Sequence, residues 1–363
     1  MTITPKPGVL QITPYSGERP EGEGGTRIFR LASNESPLGP SPKAIEAFRA
    51  AQSELHFYPD GGDLVLREAI ARSHGLAPER IVCGNGSEEL IGLLANCYLR
   101  PGDEVLFTEY AFVIYRIAAL ANSATPVEAP ERERTADVDA LLAKVSPRTR
   151  LLYLANPNNP TGTYLPAKEL RRLHAGLPPS VLLVIDSAYA EYVQRKDYEP
   201  GTELVAAAEN VVMTRTFSKA YGLAGLRVGW AYCPPAVADA LNRVRTVFNV
   251  NVAAQKAAIA ALEDRAFTDA AVRHNETWRE WLAERIREIG LMADASVGNF
   301  LLIRFSSAQQ ASDADRFLMA RGLMLRPTAN YGLSHCLRLT VGSEEANRLV
   351  VRALADFMKG QRR

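Results

Sequence analysis

Five short apolar runs, each too brief for a helix, constrain this chain more than any other feature of its sequence. They are Arg80–Cys83, Glu104–Phe107, Leu151–Leu154, Val181–Ile185 and Val211–Thr214. Continuous, β-branched-rich runs of this length read as strands buried on both faces. Amphipathic stretches separate several of them: after Ser87, which can cap a helix, Leu90, Ile91, Leu93, Leu94 and Cys97 recur at helical spacing. Strands alternating with helices predict βαβ units and a largely parallel sheet. From about Leu241 the texture changes. A helix-rich section near 253–290 precedes strands expected over Asn299–Phe305, Leu323–Arg326 and Leu337–Val341, with a helix near 311–321 between the first two and another closing the chain. That is an α+β sub-domain.

The chain has 363 residues, which exceeds the roughly 100–200 of one domain and makes two the expectation. Lysine and arginine (42) nearly cancel aspartate and glutamate (41), leaving no broad field for nucleic acid or an anionic membrane. Cys83, Cys97, Cys233 and Cys336 are scattered, which suits a reducing compartment, and no histidine pair has metal-ligand spacing. Residues 1–30 read as an extended arm, punctuated by Pro5, Pro7, Pro14 and Pro20 and lacking the pattern of a signal peptide. No apolar run approaches the ~18 residues of a membrane span. The expectation is a soluble cytoplasmic protein without a metal.

Ligands of open parallel sheets sit at the carboxyl ends of the strands, so the polar clusters there carry the chemistry. Gly84-Asn85-Gly86-Ser87 offers backbone N–H groups and a helix N-terminus to a phosphate, yet it fits neither the dinucleotide nor the P-loop pattern. Asn156-Pro157-Asn158-Asn159-Pro160-Thr161-Gly162 forces a turn and can present amides to a ligand oxygen. Asp186 closes an apolar strand, where a carboxylate is costly unless a cation, donors or solvent meet it; a protonated ring nitrogen would serve, as would a helix N-terminus. Within Thr214–Trp230, Lys219 follows an apolar strand and Ser218, with Arg227 eight residues on. Burial lowers a lysine pKa and makes the amine able to form an imine, and Ser218 with Arg227 could clamp a phosphate.

Taken together these residues resemble the fold-type I aminotransferases that use pyridoxal 5′-phosphate (PLP), and most nearly their histidinol-phosphate aminotransferase branch. The resemblance runs from about Leu31 to the last helix. It is carried by Leu31–Pro40, Tyr58–Gly62, Gly84–Glu89, Asn156–Gly162, Ser218–Gly229 and Leu337–Gly342. It implies a large domain (51–247) with a mainly parallel sheet flanked by helices, a small C-terminal α+β domain (248–363), and an arm with part of the small domain over 1–50. Lys219 is similar to the family's Schiff-base lysine, which also shuttles the proton. Asp186 would hold the ring nitrogen protonated, Asn159 and Tyr189 would bond the ring's phenolic oxygen, and Tyr110, preferred to Tyr115, would stack on the ring. Ser218, Arg227 and the backbone of Gly86, Ser87 and Glu88 would hold the phosphate. Tyr58 would reach the neighbouring subunit's phosphate, implying a homodimer. Arg338 with Arg326 would clamp the anionic group of either substrate, and Asn34 and Tyr15 would help close the site.

The implied reaction transfers an amino group from L-histidinol phosphate to 2-oxoglutarate, a small-molecule amino donor and 2-oxo acid. An aromatic amino-acid aminotransferase and a PLP-dependent threonine-phosphate decarboxylase are the competing readings. The Leu223–Arg227 run favours aminotransfer, since related decarboxylases tend to carry a proline before that glycine. Ser36 and Ser187 depart from the family's usual Asn and Glu, and Glu109–Tyr115 departs around the stacking residue.

Overall fold

The computed structural model describes residues 3–14 and 27–361. Seven strands form the central sheet: β1 (Ile81–Gly84), β2 (Glu104–Thr108), β3 (Thr125–Ala129), β4 (Thr149–Ala155), β5 (Leu182–Asp186), β6 (Val211–Thr216) and β7 (Gly229–Tyr232). Their order is β1-β7-β6-β5-β4-β2-β3. Only β7 runs against its neighbours; the remaining pairs are parallel. Side-chain alternation explains the continuous apolar runs. Leu151 and Tyr153 enter the core on one face and Leu152 and Leu154 the core on the other. Along β5, Leu182 and Val184 go one way and Leu183 and Ile185 the other. With both faces covered, the middle of each run is apolar and polar residues fall mainly toward the strand ends, and each buried aliphatic side chain contributes roughly 1.5–3 kcal/mol.

All five expected strands are present, two of them shifted by one residue and three extended by one to three. Two more escaped the sequence reading. β3 is an edge strand with a proline and mostly half-exposed residues, so it lacks a buried strand's signature. β7 opens on the glycine of a loop-like motif. Ser87 does not cap its helix: Ser87–Tyr98 begins at Ser87, and Gly86, at φ +85°, stands in the cap position with no side-chain cap.

The second sheet contains β8 (Met292–Ala293), β9 (Phe300–Arg304), β10 (Arg326–Pro327) and β11 (Cys336–Thr340), antiparallel in the order β8-β9-β11-β10. The strand expected over Leu323–Arg326 divides: Leu323–Met324 pairs with Phe29–Arg30, and Arg326–Pro327 pairs with β11. A separate core holds this sheet to the helices Ala308–Met319 and Glu344–Gln361, and Leu31 belongs to it.

Packing onto the large sheet extends beyond residues 51–247 on both sides. Asn251 caps the helix Val252–Glu263 by accepting from the Ala254 N–H at 2.8 Å. That helix buries Ala254, Ala257, Ala258 and Ala261 in the large sheet's core, and Ala44 of the helix Pro42–Ala50 joins the same core. Small side chains let both helices approach the large-sheet body closely. The long helix Arg265–Glu288 follows, and its Leu282 and Ile286 enter the core of the small, second-sheet body. Among the described residues, no helix is long and apolar enough to cross a membrane and no side-chain group could hold a metal ion.

Candidate active site

Strand register brings the chemistry together. Ala155 lies opposite Asp186, and Asp186 opposite Thr214, so β4, β5 and β6 end side by side and release their loops at one place. A cavity of about 480 Å³ opens there, lined by Asp186, Tyr189, Asn159, Ser218, Lys219 and Arg227 from the large body and by Arg326, Tyr331 and Arg338 from the small one. Asn34, Glu35, Ser87 and Glu88 also line it. Amine, carboxylate and arginines thus share one space, and the Asn159–Arg338 hydrogen bond beside them joins residues 179 apart in the sequence.

Lys219 Nζ donates to the Ser33 carbonyl at 2.9 Å and lies 5.9 Å from the Tyr189 ring centre. Burial by the cavity walls, and the Arg338 charge after it, pull its pKa down from 10.5 to about 8. Asp186 is buried. Its Oδ2 accepts from the Tyr115 hydroxyl at 2.8 Å and its Oδ1 from Thr214 at 3.4 Å, and burial raises its pKa. A carboxylate so desolvated and met by hydroxyls fits a cationic ring nitrogen, whose charge would favour the ionised form. Tyr189, also buried, accepts from Asn34 Nδ2 at 2.8 Å, and its pKa is raised to about 12, chiefly by burial. Asn34 is itself fixed at φ +57° by Thr340 and by Asn299, whose side chain donates to its carbonyl at 2.9 Å.

At one end the elements form a cradle for an anion. The first turn of Ser87–Tyr98 leaves its N–H groups uncapped, and Arg227 Nη1 donates to the Ser218 hydroxyl at 3.3 Å. A Cβ on Gly86 would lie 2.6 Å from Arg227 Nη2, and one on Gly229 only 2.4 Å from the Ser87 nitrogen. The two glycines let the guanidinium, the helix start and β7 crowd together, as a phosphate site requires. These residues fit the phosphate of a phosphorylated ring aldehyde. At the other end Arg338 donates to the Asn159 side chain and to the Ala32 carbonyl, and Arg326 is its direct cross-strand partner. Two cationic side chains at one register position suit an anionic substrate group.

One expectation fares differently. Tyr110 is not in the lining; it packs beside Leu302, Leu333 and Cys336, while its carbonyl accepts from Asn158. Phe112 lines the cavity instead, and Tyr115 stacks on Tyr153 with its ring centre 4.9 Å away, its hydroxyl reserved for Asp186. Tyr58 lies outside the lining, exposed and stacked on Phe248 at 4.6 Å. Tyr15 falls outside the described residues. Thr214, Tyr331 and Glu35 are site residues that sequence reasoning did not single out.

This architecture and site define a family. Residues 26–354 match the family model described as aminotransferase class I and II, and the chain belongs to that family. Over 98% of its length it is 57% identical to histidinol-phosphate aminotransferase of Rhodospirillum centenum, covering 99% of that protein, and 55% identical to that of Rhodopseudomonas palustris strain BisB18, covering 98%. The crystal structure of histidinol-phosphate aminotransferase from Sinorhizobium meliloti in complex with pyridoxal-5′-phosphate is 29% identical, with a TM-score of 0.93 and 99% of each chain covered.

Proposed function

We propose that this protein is a histidinol-phosphate aminotransferase that uses PLP, exchanging the amino group of L-histidinol phosphate with 2-oxoglutarate. One observation carries the reading: a lysine amine and a buried carboxylate share a cavity that has an anion cradle at each end. One cradle (Ser218, Arg227 and the Ser87 helix start) suits the cofactor's phosphate; the other (Arg338 and Arg326) suits the substrate's phosphate or the α-carboxylate of glutamate. Relatives above 50% identity carrying that name support the same choice.

PLP, when bound, supplies an electron-poor ring that accepts the electron pair left at the substrate's amine-bearing carbon. The protein's residues do the rest. Lys219 Nζ, held uncharged more easily than an ordinary lysine, would take the proton from that carbon. Asp186 would keep a proton on the ring nitrogen, and Asn159 and Tyr189 would hold the ring by its phenolic oxygen. Phe112, in place of Tyr110, would supply the aromatic contact to the ring. The protein acts as a cytoplasmic homodimer, in which Tyr58 reaches the phosphate of the neighbouring subunit.

The apolar wall of Phe112, Val113, Ile114 and Ile117 favours a second reading, an aromatic amino-acid aminotransferase. A half-reaction assay separates the two. The PLP-loaded protein is mixed with histidinol phosphate, phenylalanine, tyrosine or phosphothreonine, and the visible absorbance of the cofactor is followed. Histidinol phosphate should convert it at the lowest concentration and 2-oxoglutarate should restore it. Conversion by phenylalanine or tyrosine alone would overturn the proposal.

A further inference from the structure

Three carboxylates line the cavity: Asp186, Glu88 and Glu35. The first is placed to meet the ring nitrogen. Glu88 stands in the first turn of the helix Ser87–Tyr98, where the helix dipole favours an anion, 4.0 Å from Arg227. Glu35 has neither reason to be where it is. It lies on the loop after the strand Phe29–Arg30, and its carboxylate pairs with Arg30 at 3.1 Å. The Arg30 side chain is 57% exposed, and ion pairs in such surroundings contribute little, so this contact does not explain an acid beside the reacting amine. Ser33, two residues earlier, holds Lys219 through its carbonyl, and the Glu35 charge reaches that amine, opposing the downward pull on its pKa.

A carboxylate in a cavity built to receive phosphate at both ends repels its ligands unless it meets a donor. Histidinol phosphate brings two kinds of donor, its amine and an imidazole N–H. With the amine committed to the reacting end and the phosphate arm to Arg338, the imidazole is the substituent left for recognition. We propose that Glu35 is a specificity-determining residue whose carboxylate accepts a hydrogen bond from the imidazole N–H of the substrate. A phenyl ring offers no such donor and would cover the carboxylate with no partner beyond the exposed Arg30, which is how a polar site rejects an apolar analogue. The inference rests on the histidinol-phosphate reading for its choice of ligand.

L-Histidinol and L-phenylalaninol are the same amino alcohol with imidazole exchanged for phenyl, and neither carries a phosphate. Their affinities for the PLP-loaded protein are compared by calorimetry in the wild type, Glu35→Gln and Glu35→Asp. The wild type should favour histidinol by about tenfold or more, the range of one hydrogen bond to a charged group. Glu35→Gln, whose neutral amide oxygen accepts a weaker bond, should lower the ratio several-fold, and Glu35→Asp, which keeps the charge, should recover part of it. The visible absorbance of bound cofactor reports in each variant that the site has formed. No preference in the wild type, a preference unchanged in Glu35→Gln, or loss of cofactor absorbance in both variants would overturn the assignment. Turnover of histidinol phosphate by the wild type is read separately. Its absence would sink the proposed function, while a Glu35-dependent preference for imidazole would still stand.

Discussion

Lys219 illustrates how a single residue acquires its chemistry from its surroundings. Its pKa falls from 10.5 to about 8 because the cavity walls desolvate it and Arg338 adds a like charge. The unfolded chain therefore binds more protons at this site between about pH 8 and pH 10.5. In that window the amine makes the cofactor-free protein more stable as pH rises. The same shift is visible kinetically: the rate at which cofactor-free protein captures PLP should rise with pH to a midpoint near 8 and then level off. A midpoint at the ordinary lysine value would refute the environment described. Asp186 has the complementary demand, since burial raises its pKa and only a cation beside it makes its charge comfortable. Asp186→Asn should lower kcat by roughly a hundredfold or more, about 3 kcal/mol in the barrier, because the ring nitrogen loses the group that keeps its proton. Stopped-flow measurement of the half-reaction reads this directly, and a change below about threefold would contradict the assigned role.

The elements hold these residues through contacts that the sequence shows only in part. The five buried strands were legible because both faces are covered, leaving unbroken apolar runs, and the loops at their ends were legible because glycine, proline and asparagine mark them. The Tyr110–Phe112 exchange was not, since neighbouring aromatic residues in a loop differ only in the turn geometry that aims them. Nor was the position of Glu35, which depends on how a loop after Arg30 meets a lysine nearly two hundred residues on. Two element-scale contacts lend themselves to test. Arg215 and Glu191 form an ion pair at 2.8 Å with both side chains nearly buried, tying β6 to the loop that carries Tyr189. Glu191→Ala leaves the guanidinium without its anion and should lower stability by about 3 kcal/mol in denaturant unfolding. Gly229→Ala places a methyl 2.4 Å from the Ser87 nitrogen and 2.8 Å from the Gly86 carbonyl carbon. It should push β7 off the phosphate cradle and weaken PLP binding at least tenfold by equilibrium dialysis, and unchanged affinity would show that the crowding is not needed.

At the scale of the whole molecule, one surface is out of character for a lone chain. Phe57 (65% exposed), Tyr58 (82%), Val65 (57%) and Val247 (74%) are all uncovered. Large exposed apolar groups gathered on one body favour association, in keeping with the proposed homodimer. Val247→Glu should shift the protein toward monomer in sedimentation analysis and, by removing the partner's Tyr58, weaken its hold on PLP. The two bodies of each chain meet across the cavity, where Arg338 from β11 donates to Asn159 after β4. All of this depends on the amine at position 219 being the group that carries the cofactor. Borohydride treatment of the PLP-loaded protein, followed by peptide mass mapping, tests that most directly: the label should sit on Lys219 alone, and Lys219→Ala should be neither labelled nor active. Label on another lysine, or normal turnover by Lys219→Ala, would contradict the account.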